Sequence, residues 1–123
     1  MNWSMTAAIL LALAVILGAF GAHGLKGRLD EYSMSVYEKA VFYHFIHALG
    51  ILLVSLLPRT GTFPESTAGT ACAILFGGIL IFSGSLYLLA VTGTRILGAI
   101  TPIGGVAFIV GWLYLAWHLR RIL

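Results

Sequence analysis

Four stretches of this 123-residue chain hold no Asp, Glu, Lys or Arg: Met1–Leu25, Ala40–Pro58, Ser66–Thr94 and Ile96–Leu119. Nothing constrains the fold more, because about 20 apolar residues suffice for a helix to cross the hydrocarbon core of a bilayer. Ala40–Pro58 reaches that length once its polar start is included. Membrane β-barrels use strands that alternate over about 10 residues, whereas these runs are continuously apolar. The reading is an all-α integral membrane bundle of four transmembrane helices in two antiparallel hairpins, with a short interfacial segment after the first. It makes one domain over residues 1–123, with spans at about 3–25, 36–57, 64–92 and 95–118.

Composition enters as a check. The chain is 60% hydrophobic and 9% charged, with a mean hydropathy of +1.03, against about 25% charged residues in a soluble domain. The net charge of +3 and pI near 9.4 do not point to nucleic acid. Lys26, Arg28, Lys39, Arg59, Arg95, Arg120 and Arg121 fall at helix ends, where cations anchor spans beside lipid headgroups. Cys72 is the only cysteine, so neither a disulfide framework nor a CxxC site is available. The first run has no basic n-region and exceeds the 7–15 apolar residues of a signal peptide, so it reads as a mature span.

Local patterning divides the chain further. Ala14, Gly18 and Ala22 form a small-residue stripe on the first span that lets a second helix approach closely. Gly18, Gly21, Gly24 and Gly27 then weaken its end, predicting a fray or bend near His23. Leu25, Leu29, Tyr32 and Val36 recur at helical steps across the polar stretch that follows, consistent with a short helix along the interface. Ser35-Val-Tyr-Glu38 reads as a capping box starting the second span near Val36, and Thr62-Phe-Pro-Glu65 as another starting the third. Gly69, Ala73 and Gly77 make a second small-residue stripe. Gly93 is placed to cap the third span and Thr94 to cap the fourth, which Pro102 should kink near its start.

Let side A be the membrane face of the N terminus, second loop and C terminus, and side B the face of the first and third loops. Side B then receives His23, Tyr43, His44, His47, Ser83, Ser85, Tyr87 and Thr101. His47, Ser85 and Thr101 fall roughly 8–10 Å inside that boundary at the helical rise per residue. Side A keeps little beyond Ser55, Trp3, Trp112, Trp117 and His118. Polar groups in hydrocarbon need a partner or a wet cavity, so the side-B set should turn inward.

Three kinds of role fit such a set. A polar packing layer would fix helix register, since Ser/Thr glue is common in bundles. A kinked, glycine-lined and one-sided polar cavity would suit a small molecule or lipid headgroup. Metal or haem chemistry would need a fixed donor set, which three histidines can supply. No HExxH motif, in-membrane carboxylate or acid partner for Ser83 and Ser85 accompanies them. Proton-coupled export by a four-helix bundle uses a buried glutamate that the first span lacks, leaving His44 or His47 as the titratable groups.

Gly18-Ala-Phe-Gly-Ala-His-Gly-Leu25, Lys39-Ala-Val-Phe-Tyr-His-Phe-Ile-His-Ala-Leu49, Phe82-Ser-Gly-Ser-Leu-Tyr87 and Thr101-Pro-Ile-Gly-Gly105 resemble, in order, the domain of unknown function 423 family, whose animal members are called transmembrane protein 256-like. The resemblance covers essentially the whole chain. It implies a small four-helix protein of an inner or organelle membrane, here the bacterial cytoplasmic membrane, and it implies no activity. Its signature residues fall on His23, Tyr43, His44, His47, Ser83, Ser85, Thr101 and Pro102.

The expected function is binding of a small molecule or lipid headgroup at the side-B residues. The alternative is a structural or assembly subunit of a membrane complex or homo-oligomer, and the third reading a metal- or haem-dependent membrane enzyme. No catalytic residue, metal or cofactor is assigned. Expected partners are membrane lipid, a small-molecule ligand and a second copy packed through small-residue faces.

Overall fold

A computed structural model describes residues 1–122, so Leu123, the last residue of the expected domain, lies outside them. The described chain is helical and carries four helical rods long and apolar enough to span a membrane, Trp3–Leu25, Glu31–Thr60, Glu65–Thr92 and Leu97–Leu119. At 1.5 Å per residue even a 23-residue rod extends about 35 Å, enough for a hydrocarbon core of about 30 Å.

Helix α1 (Trp3–Phe20) starts at Asn2, whose Oδ1 accepts from the Met5 N–H at 3.0 Å. It continues as a π turn over Gly21–Leu25, so the glycine-rich end widens rather than frays. Gly27, at φ +85°, then reverses the chain. No separate interfacial helix follows. The polar stretch forms a turn and then the opening of α2 (Glu31–Leu56), which begins five residues before Val36. Asp30 caps it, with Oδ1 accepting from the Ser33 N–H at 2.7 Å. Asp30 therefore takes the role expected of Ser35. A charged first turn costs nothing where the helix stands clear of the hydrocarbon.

Pro58 does not end the second rod but sits in a 3-10 turn over Leu57–Thr60, closed by Gly61 at φ +85°. Helix α3 (Glu65–Gly78) has Pro64 as its N-cap and no side-chain cap bond. The Thr62 box is absent because Glu65 is the first helical residue, not the third, and Thr62 Oγ1 instead meets Thr60 Oγ1 at 3.1 Å. A second π turn, Ile79–Ser83, joins α3 to α4 (Gly84–Thr92). Gly93, at φ +71°, closes α4 with its N–H on the Leu89 carbonyl at 2.8 Å. The last helix, α5 (Leu97–Leu119), begins without a side-chain cap; Thr94 contributes its carbonyl to Leu97 N–H at 3.1 Å rather than its hydroxyl.

Small residues decide where the rods touch. Ala7, Leu10 and Ala14 of α1 are buried toward the interior, and the stripe passes to Gly21, where a Cβ would meet the Tyr37 ring. Gly78 and Gly111 accept Phe108 and Leu75 across the α3–α5 seam, and a Cβ on Gly104 would lie 2.7 Å from Phe82 Cα. One apolar cluster, around Ile51, Cys72, Leu75 and Phe108, fills the bundle from its middle toward side A. A smaller one (Val36, Tyr37, Ala40, Leu86, Leu89, Ala90) lies toward side B. Outside, Ile9, Val15, Ile16, Phe42, Leu53, Leu80, Leu88, Val106, Ile109 and Leu113 are exposed. That belt suits lipid and would be untenable in water.

Candidate functional site

Three polar assemblies occupy the side-B half, each made where two rods cross. In the first, His44 of α2 is buried and its Nδ1 lies 2.8 Å from the Tyr87 hydroxyl of α4. Which of the two donates follows from the imidazole tautomer. Tyr87 packs edge-on against Tyr37 at 5.5 Å. Tyr37, two helical turns before His44 on the same face, donates its hydroxyl to the Leu17 carbonyl of α1 at 2.5 Å. The chain of contacts thus runs from α4 through α2 to α1. Nε2 of His44 is buried with no hydrogen-bond partner among the described residues.

The second assembly is aromatic. His47 Nδ1 donates to the Tyr43 carbonyl one turn earlier at 2.9 Å, which leaves Nε2 as the acceptor nitrogen of the neutral ring. The ring lies flat on Phe108 of α5, with centroids 3.5 Å apart and planes within 11°. Tyr43 packs on Phe82 at 4.5 Å, and Phe82 on Phe108 at 5.4 Å.

The third is a set of hydroxyls. Ser83, fully buried in the π turn, donates to the Ala40 carbonyl of α2 at 2.8 Å. Ser85 and Thr101 meet at 2.6 Å across α4 and α5, and each also reaches a carbonyl of its own helix, Phe82 at 3.0 Å and Leu97 at 3.2 Å. A π turn widens the backbone and often marks a site under packing or functional demand. Here it places Ser83 against α2 while Ser85, two residues on, turns to α5.

The expected residues therefore divide. His44, Tyr87, Tyr43, His47, Ser83, Ser85 and Thr101 are drawn into contacts between rods, whereas His23 is exposed in the first π turn, its side chain without a hydrogen bond among the described residues. His44 and His47 share α2 but engage different neighbours. Among the described residues no three His, Cys, Asp or Glu side chains come together as a metal donor set.

Two cavities lie elsewhere. A groove of about 340 Å³ runs along the α1–α2 seam at side B, lined by Gly18, Gly21 and Ala22 on one wall and Tyr37, Val41, Phe42 and Phe45 on the other. Glu38 and Met34 stand at its side-B end. A second cavity of about 670 Å³ opens at side A among Asn2, Trp3, Ser4, Ser55, Arg59 and Glu65. Neither is lined by His44, His47, Ser83, Ser85 or Thr101.

Sequence reasoning passed over Tyr37 because a start at Val36 left it in the first helical turn. With the true start at Glu31 it stands almost two turns in, seven residues from His44 and on the same face. The side-A cavity was missed for another reason. Its residues come from three separate rod ends, and only their polarity was visible.

Outside the spans, the Ser33 N–H and hydroxyl hold the Asp30 carboxyl below the usual aspartate range. That favours the ionised form at the positive end of α2.

The family model described as "Protein of unknown function (DUF423)" matches residues 17–105. A UPF0382 membrane protein of Staphylococcus epidermidis is 55% identical over 103 residues, covering 84% of this chain and 82% of the relative. A UPF0382 membrane protein of Staphylococcus haemolyticus is 51% identical over 108 residues, 88% of this chain and 86% of its own length. The UPF0382 membrane protein YwdK of Bacillus subtilis is also 51% identical over 108 residues, 86% and 85% respectively. No solved structure matches.

Proposed function

The chain belongs to the DUF423 family of small multi-pass membrane proteins, and from that premise we propose that it binds the apolar chain of a membrane amphiphile in the α1–α2 groove, using the side-B polar layer as its rigid backing. One observation carries the reading. Where Gly18, Gly21 and Ala22 withhold side chains from the seam, a cavity of about 340 Å³ opens toward lipid. Its walls are apolar, and the Tyr37 hydroxyl beside it is already given to Leu17. Binding sites of roughly 300 Å³ and above suit small ligands.

The groove ends at side B with Glu38, and His23 belongs to the same π turn as Gly21 and Ala22. That end suits a polar headgroup, so the lipid-headgroup expectation moves from the buried histidines to the mouth of the groove. His44, Ser83, Ser85 and Thr101 act behind it, holding α1, α2, α4 and α5 in register.

The test is native mass spectrometry of protein extracted from membranes. Ala22→Phe, at an exposed groove position, should release the bound amphiphile while helicity is unchanged. Equal retention by the variant and the parent would sink the proposal. A structural subunit is the second reading, supported by hydroxyls already satisfied within the bundle, Ser83 on the Ala40 carbonyl and Ser85 on Thr101. If Ala22→Phe instead splits a dimer, the groove holds a second copy and that reading takes over.

A further inference from the structure

The side-A cavity has a different chemistry, and it does not depend on the groove. It gathers the start of α1, the 3-10 turn after α2 and the first residue of α3 at the membrane boundary. Its inner end is closed. The Ser55 hydroxyl donates to the Leu52 carbonyl at 2.7 Å, so Ser4 donates to Ser55 across 2.9 Å, and both hydroxyl protons are used. The rim is open. Arg59 and Glu65 line the same cavity as exposed charges of opposite sign, with no ion pair between them.

Donors at the rim are also unused. Asn2 spends its Oδ1 on capping α1 but has no bond from its amide N–H groups among the described residues. Trp3, whose ring is braced edge-on by Phe76 at 5.7 Å, has its indole N–H beside Gly69 with no acceptor among the described residues. Arginine with extra N–H donors is a phosphate-binding set, because the guanidinium fork matches two phosphate oxygens. A carboxylate in the same cavity would repel a bare phosphate but would welcome an ammonium group carried by it.

We infer that this cavity binds a phosphodiester that also carries an ammonium group, with Arg59, Asn2 and Trp3 on the phosphate and Glu65 on the ammonium. A tryptophan at headgroup depth fits such a site. The ligand's two charges match the cavity's two charges, whereas an anionic or a purely cationic headgroup would leave one of them opposed. The same chemistry is available from a zwitterionic membrane lipid or from a soluble amine-bearing phosphate.

Both residues are exposed, so their substitution leaves the core intact and the fold testable by circular dichroism. The protein is placed in micelles of an uncharged detergent containing equal small amounts of phosphatidylethanolamine and phosphatidylglycerol, and retained lipids are read by native mass spectrometry. The parent should retain phosphatidylethanolamine in preference to phosphatidylglycerol. Glu65→Gln should abolish that preference, and Arg59→Gln should lower retention of both lipids about two- to fivefold, the range for one exposed ion pair. Glycerophosphoethanolamine, the soluble phosphodiester with the same ammonium group, separates the sources when added in solution: displacement of the lipid assigns the site to the headgroup alone, and failure to displace assigns it to the intact lipid. No preference in the parent, or the same preference in Glu65→Gln, overturns the inference. Ala22→Phe, in the other leaflet, should leave this preference untouched, so the two sites fail separately.

Discussion

Ser83 has no solvent or lipid exposure, and its hydroxyl spans the gap from the π turn to the Ala40 carbonyl. Ser83→Ala should cost about 1 kcal/mol, the usual worth of a hydrogen bond between membrane helices, read by reversible unfolding in mixed micelles. Tyr87→Phe should cost more, about 1–3 kcal/mol. It would leave both ring nitrogens of buried His44 without partners, since Nε2 already has none. Two glycines sharpen the same comparison. Gly104→Ala would push a methyl into the Phe82 backbone, a clash that no rotamer change relieves, and should cost about 1–3 kcal/mol. Gly77→Ala meets nothing within 4 Å and should be neutral or slightly stabilising. If the two alanine variants unfold alike, the close approach of α5 to the second π turn is wrong.

At the scale of elements, the start of α2 separates two readings of the same segment. Asp30 carries the cap and Ser35 lies in the body of the helix. Asp30→Ala should therefore speed amide exchange at Ser33 and its neighbours, while Ser35→Ala should not. The pH dependence follows from the same bond. Asp30 titrates below the usual aspartate range in the folded chain because the Ser33 N–H donates to it. A carboxyl with a depressed folded value stabilises the fold fully above its unfolded value, near 3.9, and loses that contribution as pH falls through the lower folded value. Protection at Ser33 should hold down to about pH 4 and fall below it. Loss of protection between pH 5 and 7 would contradict the assignment. Pattern reasoning located the rods here but not their caps, because several residues of cap chemistry lie close together and only the backbone conformation selects one. The same ambiguity hid Pro64 as the cap of α3 behind the Thr62 motif.

For the whole molecule, topology is open to chemical labelling. Cys72 is fully buried with its thiol directed at the Ile51 carbonyl, so maleimide should not modify it until the bundle unfolds. In a Cys72→Ala background, cysteines at Lys26 and Thr94 should label from one side of sealed vesicles and a cysteine at Thr62 from the other. Labelling of Lys26 and Thr94 from opposite sides would break the hairpin arrangement. The same arrangement explains why much of the side-B set was legible in the chain. Two hairpins of known length bring the first and third loops to one face, and polar residues near those loops must share a leaflet.

By itself the amino-acid sequence determined the four spans, their antiparallel order and the polar character of one leaflet, because hydrocarbon admits only long charge-free helices with satisfied backbones. Only the tertiary structure decided which groups meet. The second π turn rotates Ser83 toward α2, and close packing at Gly21 brings Tyr37 to α1. His44 turns to Tyr87, while His23 is left outside. It also decided where space remains: in a seam of small residues beside the polar layer, and at side A, where three rod ends leave Arg59 and Glu65 around one cavity. Such outcomes depend on rotations of a fraction of a helical turn, and periodicity within a uniformly apolar run carries too little contrast to specify them.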